Sequence, residues 1–230
     1  MMKHTALILS LLVLLTACGH KGKSVDQLRA EKHERDSIAA IQNKRSLAYT
    51  DSLITVLTDK RDSLLQYFEA SREERYEDYG KFVHKRLTTR RNMERCHLQA
   101  HVSADNHLNL CAHYVGAFPI DADRITITAD SLQTTNQSTI NAHRFTTDGR
   151  YFERVTVNED DASALLSFLC METAAKFRVI LSGKRTYKFV LTDDDIIALR
   201  DTYRLYVTIC DLNTALKHHD QYHSQLSRRK

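Results

Sequence analysis

Apolar residues recur along this chain with two different periods, and the change from one to the other falls near Arg95. Before it, from Ser24 to about Arg91, charges of both signs are interspersed with spaced apolar residues, without proline and with one glycine, Gly80. Ile54, Leu57, Arg61, Leu64 and Phe68 step by three and four, a short heptad seam. Ile38 and Ile41 begin another seam in a different register, so the pattern predicts a helix that drifts or stutters between them. Glu31 with Arg35 and Glu77 with Lys81 stand at the i,i+4 spacing that supports such a helix by about 0.3 kcal/mol each. Roughly 65 residues of helix would rise on the order of 100 Å and bury little alone, which calls for a partner helix.

Beyond Arg95 the period is two. Cys96, Leu98, Ala100 and Val102 alternate with His97, Gln99, His101 and Ser103, and Leu108, Leu110 and Ala112 alternate in the same way after the turn Ala104-Asp105-Asn106. Placing Ser103 opposite His107 sets Leu98 against Ala112 and Ala100 against Leu110, which makes one face apolar throughout. Arg124 to Thr128 reads as a further strand, entered through the only proline, Pro119. Asp148-Gly149 is a preferred type I′ turn, and with Thr147 facing Arg150 it pairs Phe145 with Phe152 and Arg144 with Glu153. A third hairpin turning at Ser182-Gly183-Lys184 pairs Phe177 with Phe189 and Val179 with Tyr187. Ala162 to Cys170 has the composition of a helix but lies between hairpins, and is read as a strand.

About seven or eight short strands in this stretch imply a β-sandwich or small barrel. Thr192 followed by Asp193, Asp194 and Asp195 then caps a last helix. Its stripe of Ile196, Leu199, Tyr203, Tyr206 and Cys210 is widened by Leu205, Ile209, Leu212 and Leu216. The fold class is therefore α+β: a long, coiled-coil-like helical stalk over 24–94, an antiparallel β-sandwich-like domain over 95–192, and a C-terminal helix over 193–226 packing back on the stalk.

The first residues belong to neither pattern. Lys3 and His4 form a short basic region, and Ala6 to Leu15 is an uncharged apolar run that would rise only about 15 Å as a helix, too short to span a bilayer. Small residues Thr16 and Ala17 complete an export signal over 1–17. The tetrad Leu15-Thr16-Ala17-Cys18 resembles the lipobox of bacterial lipoproteins. That resemblance implies cleavage before Cys18, a diacylglycerol on its thiol and usually an acylated new N-terminus, with 18–23 a lipidated tether. Two or three acyl chains anchor stably where one does not. In that class an Asp after the cysteine favours inner-membrane retention and an acidic stretch marks surface export. Here Gly19 follows, then the basic His20, Lys21 and Lys23, which points to the outer membrane facing the periplasm.

The chain holds 33 Lys and Arg against 29 Asp and Glu, and the leader contributes only Lys3. That balance is too even for an electrostatic nucleic-acid binder. Six glycines and one proline leave little material for phosphate-cradling loops. Cys96, Cys111, Cys170 and Cys210 show no tight spacing, and read as mostly buried thiols.

Candidate chemistry centres on histidine. In the first hairpin His97 faces His113, Cys111 faces Gln99 and His101 lies one pair further, all on the polar face, where zinc or copper ligands could converge. A solvated face whose polar positions happen to be imidazoles explains the same residues. His219 and His223 are i,i+4 on the last helix but lack the Glu and third ligand of a zinc protease motif. Asp121 and Asp123, Glu159 to Asp161, and Asp193 to Asp195 fall in turns or caps, where Asp is expected for backbone reasons. Lys81, Lys85, Arg86, Arg90, Arg91 and Arg95 spread positive charge around a helix end, which either compensates the helix dipole or meets an anionic partner. Tyr67, Phe68, Tyr76, Tyr79 and Phe82 are expected as core between helix and β-domain. GxSxG, CxxC, P-loop and GxGxxG motifs are absent.

These features point to a non-enzymatic, membrane-anchored lipoprotein with a structural or adaptor role, which presents a β-domain on a helical stalk to another cell-envelope component, a protein or a glycan. A glycan or small-ligand-binding β-domain is the alternative, and a metal-dependent enzyme using His97, His101, Cys111 and His113 a more remote one. No cofactor is expected beyond the lipid on Cys18. A parallel homo-dimer through Ile54, Leu57, Leu64 and Phe68 competes with packing of that seam on the last helix.

Overall fold

The computed structural model describes residues 24–70, 80–88, 95–174 and 176–227, so the leader, Cys18, Tyr76, Tyr79, Arg90 and Arg91 lie outside the described residues. The chain forms two compact units, the larger running from Thr50 to His219 and the smaller comprising the residues on either side of it. The architecture is α+β, with a long N-terminal helix, antiparallel sheets and a C-terminal helix packed on the first.

Helix α1 (Val25–Leu65) opens with a capping box: Ser24 Oγ accepts the Gln27 N–H at 3.2 Å and Gln27 Oε1 accepts the Ser24 N–H at 3.0 Å. In the smaller unit, Asn43 Nδ2 donates to Gln225 Oε1 of the C-terminal helix at 3.0 Å, while Ile38 and Ile41 stay exposed. In the larger unit, Leu57 is buried with Leu212 and Ala215, and Leu53 and Ile54 pack beside it. The seam expected to seek a partner helix finds it in the same chain.

Helix α1 stops at Leu65, well short of the expected end near Arg91. Tyr67 N–H closes the last turn on Leu64 C=O at 3.0 Å, and the chain turns into β1 (Phe68–Ala70). β1 pairs with β2 (Phe82–His84), Phe68 opposite His84, and a short helix α2 (Lys85–Thr88) follows. Burial of Phe68 and Leu87, with Phe82 packed against the same core, outweighs the helical propensity of the run. Gly80 marks the turn, with φ at +77° and a Cβ position only 2.7 Å from the Ala104 Cβ.

Among the described residues, eight more strands complete two antiparallel sheets: β3 (His97–Val102), β4 (Leu108–Gly116), β5 (Arg124–Ala129), β6 (Leu132–Thr135), β7 (Asn141–Thr147), β8 (Arg150–Val157), β9 (Phe177–Ser182) and β10 (Thr186–Val190). One sheet has the order β1-β2-β3-β4-β8-β7, the other β10-β9-β5-β6. The first hairpin has the expected register, Leu98 opposite Ala112 and Ala100 opposite Leu110. So has the second, Phe145 opposite Phe152, with Asp148 and Gly149 both at positive φ as a type I′ turn demands.

The third hairpin differs from expectation by two residues: Phe189 faces Val179 and Tyr187 faces Leu181. Its turn is held by the neighbouring loop, since Arg185 N–H donates to Ile120 C=O at 3.2 Å and Asp123 N–H donates to Ser182 C=O at 2.9 Å. A Cβ on Gly183 would lie 2.1 Å from the Asp121 carbonyl oxygen, so only glycine fits.

Residues 162–170, expected as a strand, are instead the body of α3 (Glu159–Met171). Asn158 Oδ1 caps it by accepting the Asp161 N–H at 2.8 Å, and the first-turn acids complement its dipole. Ala162, Leu165, Leu166 and Leu169 are buried at helical spacing. Its C-terminus is closed by Arg200, which donates to the Leu169 and Glu172 carbonyls at 2.7 Å each. The C-terminal helix α4 (Asp193–Ser227) begins with its own reciprocal cap, Thr192 N–H to Asp195 Oδ2 at 2.9 Å and Asp195 N–H to Thr192 Oγ1 at 3.2 Å.

The core joins one face of the six-stranded sheet (Leu98, Leu110, Val155) to Ile125, Ile127 and Val179 of the other and to α3 and α4. Among these apolar side chains lies Glu153, 3 % exposed. Its carboxylate accepts the N–H groups of Ile120 (2.6 Å), Asp121 (2.9 Å) and Ala122 (3.0 Å) and faces Arg144 Nε at 3.3 Å. Asp161 does similar work at the loop after β6, accepting the N–H groups of Gln137 (2.8 Å) and Ser138 (3.0 Å).

Substituting Glu153→Ala strands three backbone donors and takes one partner from the Arg144 guanidinium, which keeps the Ala122 carbonyl and Asp121. The expected loss in denaturant unfolding is about 3 kcal/mol or more. Gly183→Ala forces a shift of the Asp121 backbone, and the expected cost by the same measurement is about 2 kcal/mol.

Candidate functional site

Because side chains on a strand alternate between faces, the residues that do not enter the core line the opposite face of the six-stranded sheet. The registers place them in rows. His97, His113, Arg154 and His143 lie side by side across β3, β4, β8 and β7, and Gln99, Cys111, Thr156 and Asn141 form the next row. His101 faces Asn109 beyond that. On the other side of the histidine row, Phe152 and Phe145 stack with ring centroids 4.9 Å apart and planes 3° from parallel.

A cleft of about 1110 Å³ opens over this face, lined by His101, Asn109, Cys111, Asn141, Arg154 and Thr156 together with Lys81, Ser103 and Asp105 at the β2 side. Its electrostatics follow from which charges are buried there. Burial lowers the pKa of His101 to about 3, and the positive charges of Lys81 and Arg154 push the same way. Burial likewise lowers that of His113 to about 3, with His97 and Arg154 adding to it. Burial raises the Cys111 thiol, against the pull of Arg154. At neutral pH the cleft therefore presents the neutral imidazole of His101, an un-ionised thiol and the cationic Arg154 and Lys81.

Arg154 Nε is buried and, among the described residues, meets no acceptor. The cleft's own carboxylate, Asp105, is engaged at the rim: Ser103 Oγ donates to it and His107 Nε2 lies 3.6 Å away. His107 in turn meets Glu159 at 2.7 Å, and that hydrogen bond raises the imidazole's pKa.

The four residues proposed as metal ligands, His97, His101, Cys111 and His113, do share this face but do not converge on one point. His97 and His113 stack with centroids 4.5 Å apart and planes 6° from parallel, so their in-plane lone pairs run alongside one another. His97 Nδ1 lies 3.0 Å from the Arg95 carbonyl, which only a protonated Nδ1 satisfies. His113 Nε2 lies 3.3 Å from Cys111 Sγ and 3.2 Å from Gln99 Oε1. Among the described residues, no three His, Cys, Asp or Glu side chains are arranged to hold a metal ion. His219 meets Asp51 of α1 at 3.2 Å.

The basic residues expected on one helix end are dispersed by the strand pairing of β1 and β2. Lys81 turns into the cleft, Lys85 donates to the Gln66 carbonyl at 2.8 Å, Arg86 pairs with Asp194, and Arg95 pairs with Asp195 at 3.3 Å. Tyr67 is exposed, whereas Phe68 is core as expected. Cys96, Cys111, Cys170 and Cys210 are free thiols.

Arg154, Thr156, Asn141 and the Phe145–Phe152 platform did not emerge from the sequence as site residues. Their alternation with Glu153 and Val155 was legible, but the β4–β8 pairing that carries them beside His113 and Cys111 joins separate hairpins. No protein-family model, curated protein or solved structure matches the chain.

The two depressed imidazoles tie stability to pH. Between about 3 and 6.5 the unfolded chain binds more protons at His101 and His113 than the folded chain. Their contribution is thus complete above 6.5 and is lost as pH falls toward 3. Unfolding measured across that range should steepen there, and a His101→Gln/His113→Gln double variant should show a flatter profile. Superimposable profiles would refute the burial of neutral imidazoles.

Proposed function

We propose that this chain is a lipid-anchored protein of the bacterial envelope, acylated at Cys18, that acts by binding, and that the polar cleft of its six-stranded sheet is the binding surface. The lipobox resemblance supports the anchor, and the basic residues after Cys18 favour the outer membrane facing the periplasm. The observation that carries the binding reading is the cleft itself: concave, of ligand size, and lined by convergent hydrogen-bonding groups. Its chemistry favours binding over catalysis. Imidazoles with pKa values of about 3 are poor general bases at neutral pH, and a thiol raised by burial is a poor nucleophile.

The concave shape favours a glycan or small ligand. One observation supports the adaptor reading beside it: β7 is an edge strand with mostly exposed side chains, a form suited to pairing with a strand of another protein.

Both halves are testable in cells. Palmitate labelling should disappear in Cys18→Ala, and labelling that persists would refute the anchor. A photo-cross-linking residue at Thr156 should capture an envelope glycan or its carrier, whereas one at Thr146 on β7 should not. Capture of a protein from Thr146 alone would replace the cleft reading with the adaptor reading.

A further inference from the structure

We infer that the ligand of the cleft is a sugar bearing an oxyanion, a carboxylate or phosphoryl group, seated on Arg154; this rests on the cleft being the binding surface. Arg154 occupies the centre of the face, between His113 on one strand and His143 on the other. A buried guanidinium N–H that meets no acceptor among the described residues is costly unless a ligand supplies one. The planar guanidinium fork matches an oxyanion bidentately. Lys81 adds positive charge to the same cleft, and Asp105, its lining carboxylate, is already engaged by Ser103 and His107.

The remainder of the ligand follows from the neighbouring groups. Asn109, Asn141 and Thr156 both donate and accept, as does the neutral imidazole of His101, and that two-way capacity suits hydroxyl groups. Phe145 is 39 % exposed and stacked on Phe152, two residues along the strands from His143 and Arg154 and on the same face. The C–H face of a pyranose packs against such a π face. Two residues of strand span about 7 Å, so a ring over the phenylalanines carries an exocyclic oxyanion to Arg154.

The test is binding to the full-length lipidated protein in detergent micelles, at matched ionic strength, with glucuronate, glucose 6-phosphate, glucose and inorganic phosphate as probes. The expected result is at least tenfold tighter binding of glucuronate or glucose 6-phosphate than of glucose, and whichever binds tighter identifies the oxyanion as carboxylate or phosphoryl. Arg154→Gln should weaken that binding tenfold or more, with Arg154→Lys between. Thr156→Glu, which adds a carboxylate beside Arg154 while leaving it in place, should weaken it too, so misfolding of one variant does not decide the matter. Glucose binding as tightly as the anions, with no loss in Arg154→Gln, would overturn the oxyanion and leave the cleft standing. Inorganic phosphate binding as tightly as the sugars would overturn the sugar. Binding of none of the probes would overturn the inference, while the Thr156 cross-link reports separately on the cleft.

Discussion

Glu153 carries a carboxylate into the apolar face of the six-stranded sheet, where the N–H groups of Ile120, Asp121 and Ala122 and the Arg144 guanidinium receive it. Those three backbone donors belong to the segment that leaves β4 in one sheet and enters β5 in the other. An ionised group so placed is tolerable only with every acceptor site filled, and filling them dictates the path of the crossing chain. The same segment then receives the β9–β10 turn through Ile120 and Asp123, so the second sheet is seated by what the first one buries.

A strand that sends Glu153 inward must send Phe152 and Arg154 outward, and this period-two consequence links the fold to the site. With the core closed on one side by the second sheet and α3, the polar partners of every core residue accumulate on the other. There the lateral registers align His97, His113, Arg154 and His143 across four strands. Among the described residues, Arg154 Nε meets no acceptor. Its positive charge adds to burial in keeping His101 and His113 uncharged.

Much of this was legible in the chain, wherever local pattern and tertiary demand agree. Alternation and turn chemistry set the first two hairpins to the residue, because an Asp-Gly turn and an all-apolar face each admit one register. The C-terminal cap at Thr192 was equally plain. The third hairpin was misplaced because its turn answers to the Ile120–Asp123 backbone, which no local pattern reports. Helix α3 carries Ala162, Leu165, Leu166 and Leu169 at helical spacing, but its place between two hairpins suits a strand equally, and only burial of that stripe decides for the helix. The end of α1 was overrun because Phe68 and Phe82 continue an apolar pattern that suits either a helix or a strand until the core claims them. Gly80 was the one local sign of the break. The histidine face was visible within its own hairpin, whereas Arg154 required knowing which hairpin lies beside it.

Arg154 is the proposed seat of the ligand on this face. The most direct measurement is the ¹⁵N–¹H signal of arginine side-chain Nε groups in the full-length protein in micelles, with the Arg154 resonance assigned by its loss in Arg154→Lys. Addition of glucuronate or glucose 6-phosphate should shift the Arg154 Nε signal, slow its exchange with solvent, and leave Arg144 and Arg200, whose Nε groups already have acceptors, unmoved. An Arg154 signal that stays fixed while either anion saturates the protein would place the ligand elsewhere and contradict the account.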